Sequence, residues 1–138
     1  MNDIIIKLRR LANAQFPIPQ RGTARMNVIA NENKIIEAGS YDYVRLRINI
    51  KMPKSCVCIL YPKLSCNIDK DGTDYNDPIL VTNECEEVMF IAYNLSEEPY
   101  EIKIGDAIGT MKFFKSLDIK KTYYDQGDER SMVIHGGI

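Results

Sequence analysis

The chain has 138 residues, which at roughly 150 residues per domain makes one compact domain. Eighteen Lys and Arg stand against 19 Asp and Glu, and the formal net charge of −1 argues against a protein that holds nucleic acid by bulk phosphate neutralisation. No apolar run approaches the ~18–20 residues of a membrane span and no signal-peptide stretch opens the chain, so the expectation is an intracellular protein with no membrane partner.

In chain order, Ile4-Ile5-Ile6-Lys7-Leu8 is a short β-rich segment, and Phe16-Pro17-Ile18-Pro19 leads into an extended loop stiffened by its prolines. Val44 to Met52 alternates apolar and polar at every step. Read as one strand, it turns Val44, Leu46, Ile48, Ile50 and Met52 to a core and its charges to solvent. Pro53-Lys54-Ser55 ends it. Cys56 to Tyr61 and Val88 to Tyr93 follow as strands, then Tyr100 to Ile104, a turn at Gly105-Asp106, and Ala107 to Phe114. Residues 67–78 form the one long polar loop or hairpin tip. Short strands with frequent turns and no long helical period predict an all-β sandwich or barrel. The division expected is a β-barrel domain over residues 1–114 and an extended C-terminal arm or tail over 115–138.

Motif chemistry is sparse. The single histidine, His135, excludes multi-histidine zinc sites. Cys56, Cys58, Cys66 and Cys85 have no CxxC or zinc-ribbon spacing and read as small buried hydrophobes, so no metal site is expected. Asp69, Asp71, Asp74 and Asp77 alternate like a calcium loop, but Leu80 stands where the closing Glu belongs, leaving a solvated turn. Glu84, Glu86 and Glu87 read as a solvated strand edge, with Arg45 and Arg47 the only small basic cluster. Asn94-Leu95-Ser96 matches the glycosylation pattern, which has no bearing on an intracellular chain. No phosphate-cradling glycine loop and no nucleophile elbow is present. Isoleucine far outnumbers leucine, and Asn, Lys and Tyr are abundant, a composition found in AT-rich genomes such as those of many viruses.

From about Ile4 to Phe114 the order of segments resembles the trimeric dUTPases. Ala14-Gln15-Phe16-Pro17-Ile18-Pro19 is similar to that family's proline-containing lead, and Glu37-Ala38-Gly39 to the glycine before its long strand. Gly105-Asp106-Ala107-Ile108 resembles its Gly-Asp-x-Ile motif, after a strand that ends in Asn94. The resemblance implies a β-clip, a distorted jelly-roll barrel that assembles as a homotrimer. In the family this fold hydrolyses dUTP with Mg²⁺, through a water-activating carboxylate, phosphate-binding groups and a uracil-selecting hairpin.

The departures fall on that machinery. Asn27 stands for the first motif's Asp and carries neither negative charge nor a basic site. Pro62-Lys63-Leu64-Ser65 replaces Pro-Arg-Ser-Gly, exchanging the bidentate Arg fork for a point charge. The third motif, Gly-x-Ile-Asp-x-x-Tyr-Arg-Gly, is set against Ile79 to Glu87, where nothing falls in register, although an insertion would bring Asp74-Tyr75 or Asp77 into play. Of the glycine-rich fifth motif only Gly136-Gly137 remains. The expectation is therefore a non-catalytic, dUTPase-like viral protein, with no catalytic residue and no cofactor, acting on itself as a trimer and on a host or viral protein. Asp71, Tyr75, Asp77, Tyr123, Tyr124 and His135 are its candidate contact residues. One alternative is a divergent nucleotide binder or dUTP pyrophosphatase using Asn27, Lys63, Ser65, Asp77 and Glu84 with Mg²⁺. Another is a structural virion component.

Overall fold

The alternating segments pair as antiparallel ribbons around one core. The structure, a computed structural model, describes residues 4–81 and 87–115, and the backbone of strands at 118–123 and 130–135. In order, the strands are β1 (Lys7–Arg10), β2 (Ile18–Pro19), β3 (Arg25–Ile29), β4 (Lys34–Ile36), β5 (Tyr41–Arg45), β6 (Ile48–Lys51) and β7 (Cys56–Pro62). A 3₁₀ turn (Ser65–Asn67) precedes β8 (Ile79–Val81), β9 (Met89–Tyr93), β10 (Tyr100–Ile102), β11 (Ala107–Lys115), β12 (Asp118–Tyr123) and β13 (Arg130–His135). There is no α-helix among the described residues, and none of their elements could cross a membrane as a helix.

A five-stranded sheet in the order β2-β3-β11-β7-β8 forms the centre, flanked by the two-stranded pairings β1–β6, β4–β10, β5–β9 and β12–β13. The period-2 pattern is the cause: Cys56, Cys58 and Leu60 of β7 alternate inward, as do Phe90 and Ala92 of β9. Their core also takes Val28, Ile36, Ile102, Ile108 and Met111. Each fully buried Leu, Ile, Phe or Met contributes about 1.5–3 kcal/mol relative to exposure.

The long alternating segment is two strands instead of one. β5 pairs with β9 and β6 with β1, so the chain leaves one ribbon for another at Leu46-Arg47. Arg47 takes the bend with φ of 51°, its Nε donating to Asn31 O, while Asn31 Nδ2 donates to Leu46 O at 2.8 Å. All five predicted core residues are nevertheless buried, because the bend keeps the inward side inward. The first strand starts later than its β-rich residues suggest, with Ile4 and Ile5 exposed.

Within 115–138, expected as an extended arm or tail, the described strands are paired. Lys115 is the last residue of β11, and β12 and β13 pair over six positions, from Asp118 with His135 to Tyr123 with Arg130. Asn94, the sequon asparagine, is wholly buried, and its Nδ2 donates to Ile36 O and Glu98 O, so the pattern is a packing feature.

Candidate functional site

Pairing in the central sheet gathers several of the candidate residues at one end. Thr110 of β11 is flanked by Asn27 on β3 and Tyr61 on β7, and Lys63 N–H donates to Ile108 O just past β7. Asn27 is half-buried, with its Oδ1 accepting a 2.6 Å bond from Gln20 Nε2. Lys63 and Ser65 are exposed, whereas Leu64 between them is buried in the core.

The polar loop 67–78 is a closed hairpin. Ile68 bridges Asp74, Asp69 N–H donates to Thr73 O, and Asp69 Oδ1 accepts from the N–H groups of Asp71 and Thr73, both at 2.9 Å. An aspartate that caps the turn following it is the local reason for this shape. Amides lock the hairpin's base. Asn67, buried, accepts from Tyr93 N–H at 2.9 Å and donates to Asn76 Oδ1 at 2.8 Å. Asn76 also binds both backbone groups of Leu64.

Between hairpin and β9 lies a cavity of about 220 Å³ lined by Asp69, Tyr75, Asp77, Tyr93 and Leu95. A second, of about 160 Å³, shares Tyr75, Asp77 and Tyr93 with it and reaches Pro62 and Ile91. The ionisable groups of the first are two carboxylates and two phenols. Beside it, the Tyr41 and Tyr93 rings lie 5.7 Å apart, on an outer face of the β5–β9 ribbon that also exposes Tyr43 and Met89.

Of the predicted site residues, Tyr75 and Asp77 come together at this cavity. Asn27, Lys63 and Ser65 do not line it, and Asp71 sits exposed at the hairpin tip. Tyr123 and His135 lie at opposite ends of the β12–β13 ribbon. Glu84 and Tyr124 fall outside the described residues, as do Cys85 and Glu86. Glu87 is an ion-pair partner: Arg45 forks onto it with Nε–Oε1 at 2.9 Å and a second bond at 3.1 Å, and this pairing raises the Arg45 pKa. Arg45 and Arg47 therefore have separate, structural partners instead of forming one basic cluster.

Sequence reasoning missed Asp69, Tyr93 and Leu95 as cavity residues, and Asn67 and Asn76 as its frame. Ile79–Val81, against which the third motif was set, is β8, paired to β7 with Val81 buried. The local signal was an Asp and a Tyr, Asp69 and Tyr75, within one short polar loop, obscured by the other aspartates of that loop.

One oxygen of Asp69 is held by two backbone N–H groups and Asn27 supplies a neutral amide oxygen already bound by Gln20. Among the described residues no cluster of three His, Cys, Asp or Glu could hold a metal ion.

No protein-family model and no curated protein matches the chain. Solved structures do. A dUTPase from Streptococcus mutans superposes with a TM-score of 0.67 at 15% identity, over 80% of this chain and 95% of that one. A dUTPase of Staphylococcus bacteriophage 80alpha gives 0.63 at 12% identity, over 91% and 97%, and phage dUTPases are described there as controlling transfer of virulence genes. The dUTPase of phage phi11 of S. aureus, described with a structural Mg(II) ion, gives 0.61 at 12% identity, over 91% and 99%. At these identities the likeness is one of architecture, and that architecture, an all-β jelly-roll-like barrel, is the dUTPase fold.

Proposed function

We propose that this chain is a non-catalytic, dUTPase-like viral protein that assembles as a homotrimer inside the cell and works through contact with another protein in a regulatory or host-interaction role. The observation that carries this reading is the closed hairpin. Asp69, a carboxylate at the cavity, holds two backbone N–H groups of its own turn, and Asn76 ties down Leu64. With Asn27 for the first Asp and a buried Leu64 for the phosphate-binding Ser, the groups at the reacting positions serve the fold. Losing one general base alone costs ~10²–10⁴ in rate.

The exposed tyrosines support the protein-contact side. Tyr41, Tyr43 and Tyr93 form a surface continuous with the cavity and with Tyr75, and aromatic side chains of this kind are enriched at interfaces. Phage dUTPases among the fold neighbours, described with a regulatory role, support the viral and regulatory parts.

Calorimetric titration with dUTP, dCTP and a non-hydrolysable analogue, with and without Mg²⁺, is expected to give no binding and no pyrophosphate. Micromolar binding or any pyrophosphate release overturns the reading. The convergence of Asp69, Tyr75 and Asp77 favours one rival, a divergent nucleotide binder or dUTP pyrophosphatase with Lys63 on phosphate. On that rival the same titration gives heat that Tyr75→Ala abolishes. Light scattering that shows a monomer would remove the trimer.

A further inference from the structure

The tyrosine cavity is the middle of a longer groove. On one side it shares Tyr75, Asp77 and Tyr93 with the smaller cavity, whose far wall is apolar, made by Pro62, Ile79 and Ile91. On the other it shares Asp69 and Leu95 with a third cavity, of about 430 Å³, which Glu97 and Glu98 also line. The groove thus runs from an apolar end, past two phenol rings and two carboxylates, to an acidic end.

Its charge has one sign. Asp69, Asp77, Glu97 and Glu98 line it, and the one cation among its described lining residues, Lys70, already lies 3.3 Å from Glu97. Asp69 is held by the amides of its own turn. Asp77 is bonded through its backbone, its N–H donating to Tyr75 O at 2.8 Å. Among the described residues the Asp77 carboxylate has no ion-pair partner. An exposed, unpaired carboxylate and an exposed tyrosine ring therefore enter the same cavity two residues apart.

We propose, on the reading that this chain works by protein contact, that the groove takes an arginine side chain of the partner protein, its guanidinium against the Tyr75 and Tyr93 rings and forked onto Asp77. A guanidinium is the side-chain cation that both stacks on an aromatic face and gives a carboxylate two parallel hydrogen bonds. An ammonium offers a point charge without the planar fork. The central cavity, about 220 Å³, is smaller than the roughly 300–1,000 Å³ of small-molecule sites and suits one long side chain. A nucleoside triphosphate would bring its negative charges among four carboxylates, whereas a cation is drawn in by all of them. The apolar end suits an aliphatic neighbour of that arginine.

The probe is the peptide acetyl-Leu-Arg-Leu-amide, titrated into the isotope-labelled full chain and followed by amide chemical shifts. Saturable shifts are expected at Tyr75, Tyr93, Leu95 and their neighbours, and they should weaken as salt rises. Citrulline in place of the arginine keeps the shape and removes the charge, and is expected to weaken binding about fivefold. Lysine should fall between the two. Asp77→Asn is expected to weaken the arginine peptide about fivefold, and Tyr75→Ala about two- to fivefold. Tyr75→Phe, which keeps the ring, and Asp71→Asn, at the exposed hairpin tip, should leave it unchanged. Shifts outside the groove, no saturable shift, citrulline binding as well as arginine, or an affinity unmoved in Asp77→Asn overturns the proposal. If the peptide fails and dUTP also gives no shift, the protein-contact reading stands without its arginine. If dUTP instead shifts the same amides at micromolar concentration, that reading falls as well.

Discussion

Asn76 holds both backbone groups of Leu64: its Oδ1 accepts the Leu64 N–H at 3.0 Å and its Nδ2 donates to Leu64 O at 3.1 Å. One side chain thus replaces a missing strand neighbour for the second residue past β7, and it fastens the hairpin carrying Tyr75 to the central sheet. The same amide bonds Asn67 and Asp74. Removing it in Asn76→Ala leaves the N–H of buried Leu64 without a partner, while Leu64 O keeps the Asn67 N–H, at a cost of about 1–3 kcal/mol. Chemical denaturation is expected to show the lowered midpoint, and proteolysis within 67–78 is expected to quicken. A midpoint within error of the wild type would mean that the hairpin holds itself.

Gly109 sits at the irregular step where β11 shifts register against β3, and a Cβ built there would meet Tyr61 O at 2.5 Å. That neighbour is backbone of a central strand and cannot swing aside. Gly109→Ala is therefore expected to destabilise by about 1–3 kcal/mol through overpacking. Urea denaturation of Gly109→Ala beside Thr110→Ala distinguishes this clash from a general sensitivity of β11, since only the first should show it.

Burial pushes the Cys66 thiol up to about 11 from an ordinary 9.0. The native state then keeps a proton that the unfolded chain releases first, so the native form binds more protons between those values. Stability from this group is whole below pH 9 and is lost as pH rises toward about 11, by roughly 2 kcal/mol. Denaturant midpoints at several alkaline pH values should therefore fall more steeply in the wild type than in Cys66→Ala. Parallel curves would assign the alkaline loss to other groups.

How much could be read from the chain differs between scaffold and site. The inward residues of β6, β7 and β9 are legible because the side-chain period of a strand is written directly in the alternation. Val44 to Met52 contributes the same inward residues whether it is one strand or two, which is why its core was right and its bend at Arg47 invisible. The β12–β13 ribbon was missed because its stabilising bonds run to a partner strand, and Asp118 to Tyr123 alone has no clean alternation.

The cavity was least legible. Tyr93 and Leu95 join Asp69 because the hairpin's base is tied to them through Tyr93 N–H on Asn67 and Leu95 N–H on Cys66 O, bonds between residues 26 and 29 apart. Nothing local in the sequence encodes them.

Length, charge balance and alternation by themselves determined one β-domain with a known inward face, since burial of an apolar face is a property of each segment. Which segments became neighbours was decided by the tertiary structure. It made a closed hairpin from four aspartates, and it gave a neutral chain an acidic groove lined by tyrosines, because net charge is a sum over the sequence while a binding surface depends on which charges the fold sets side by side.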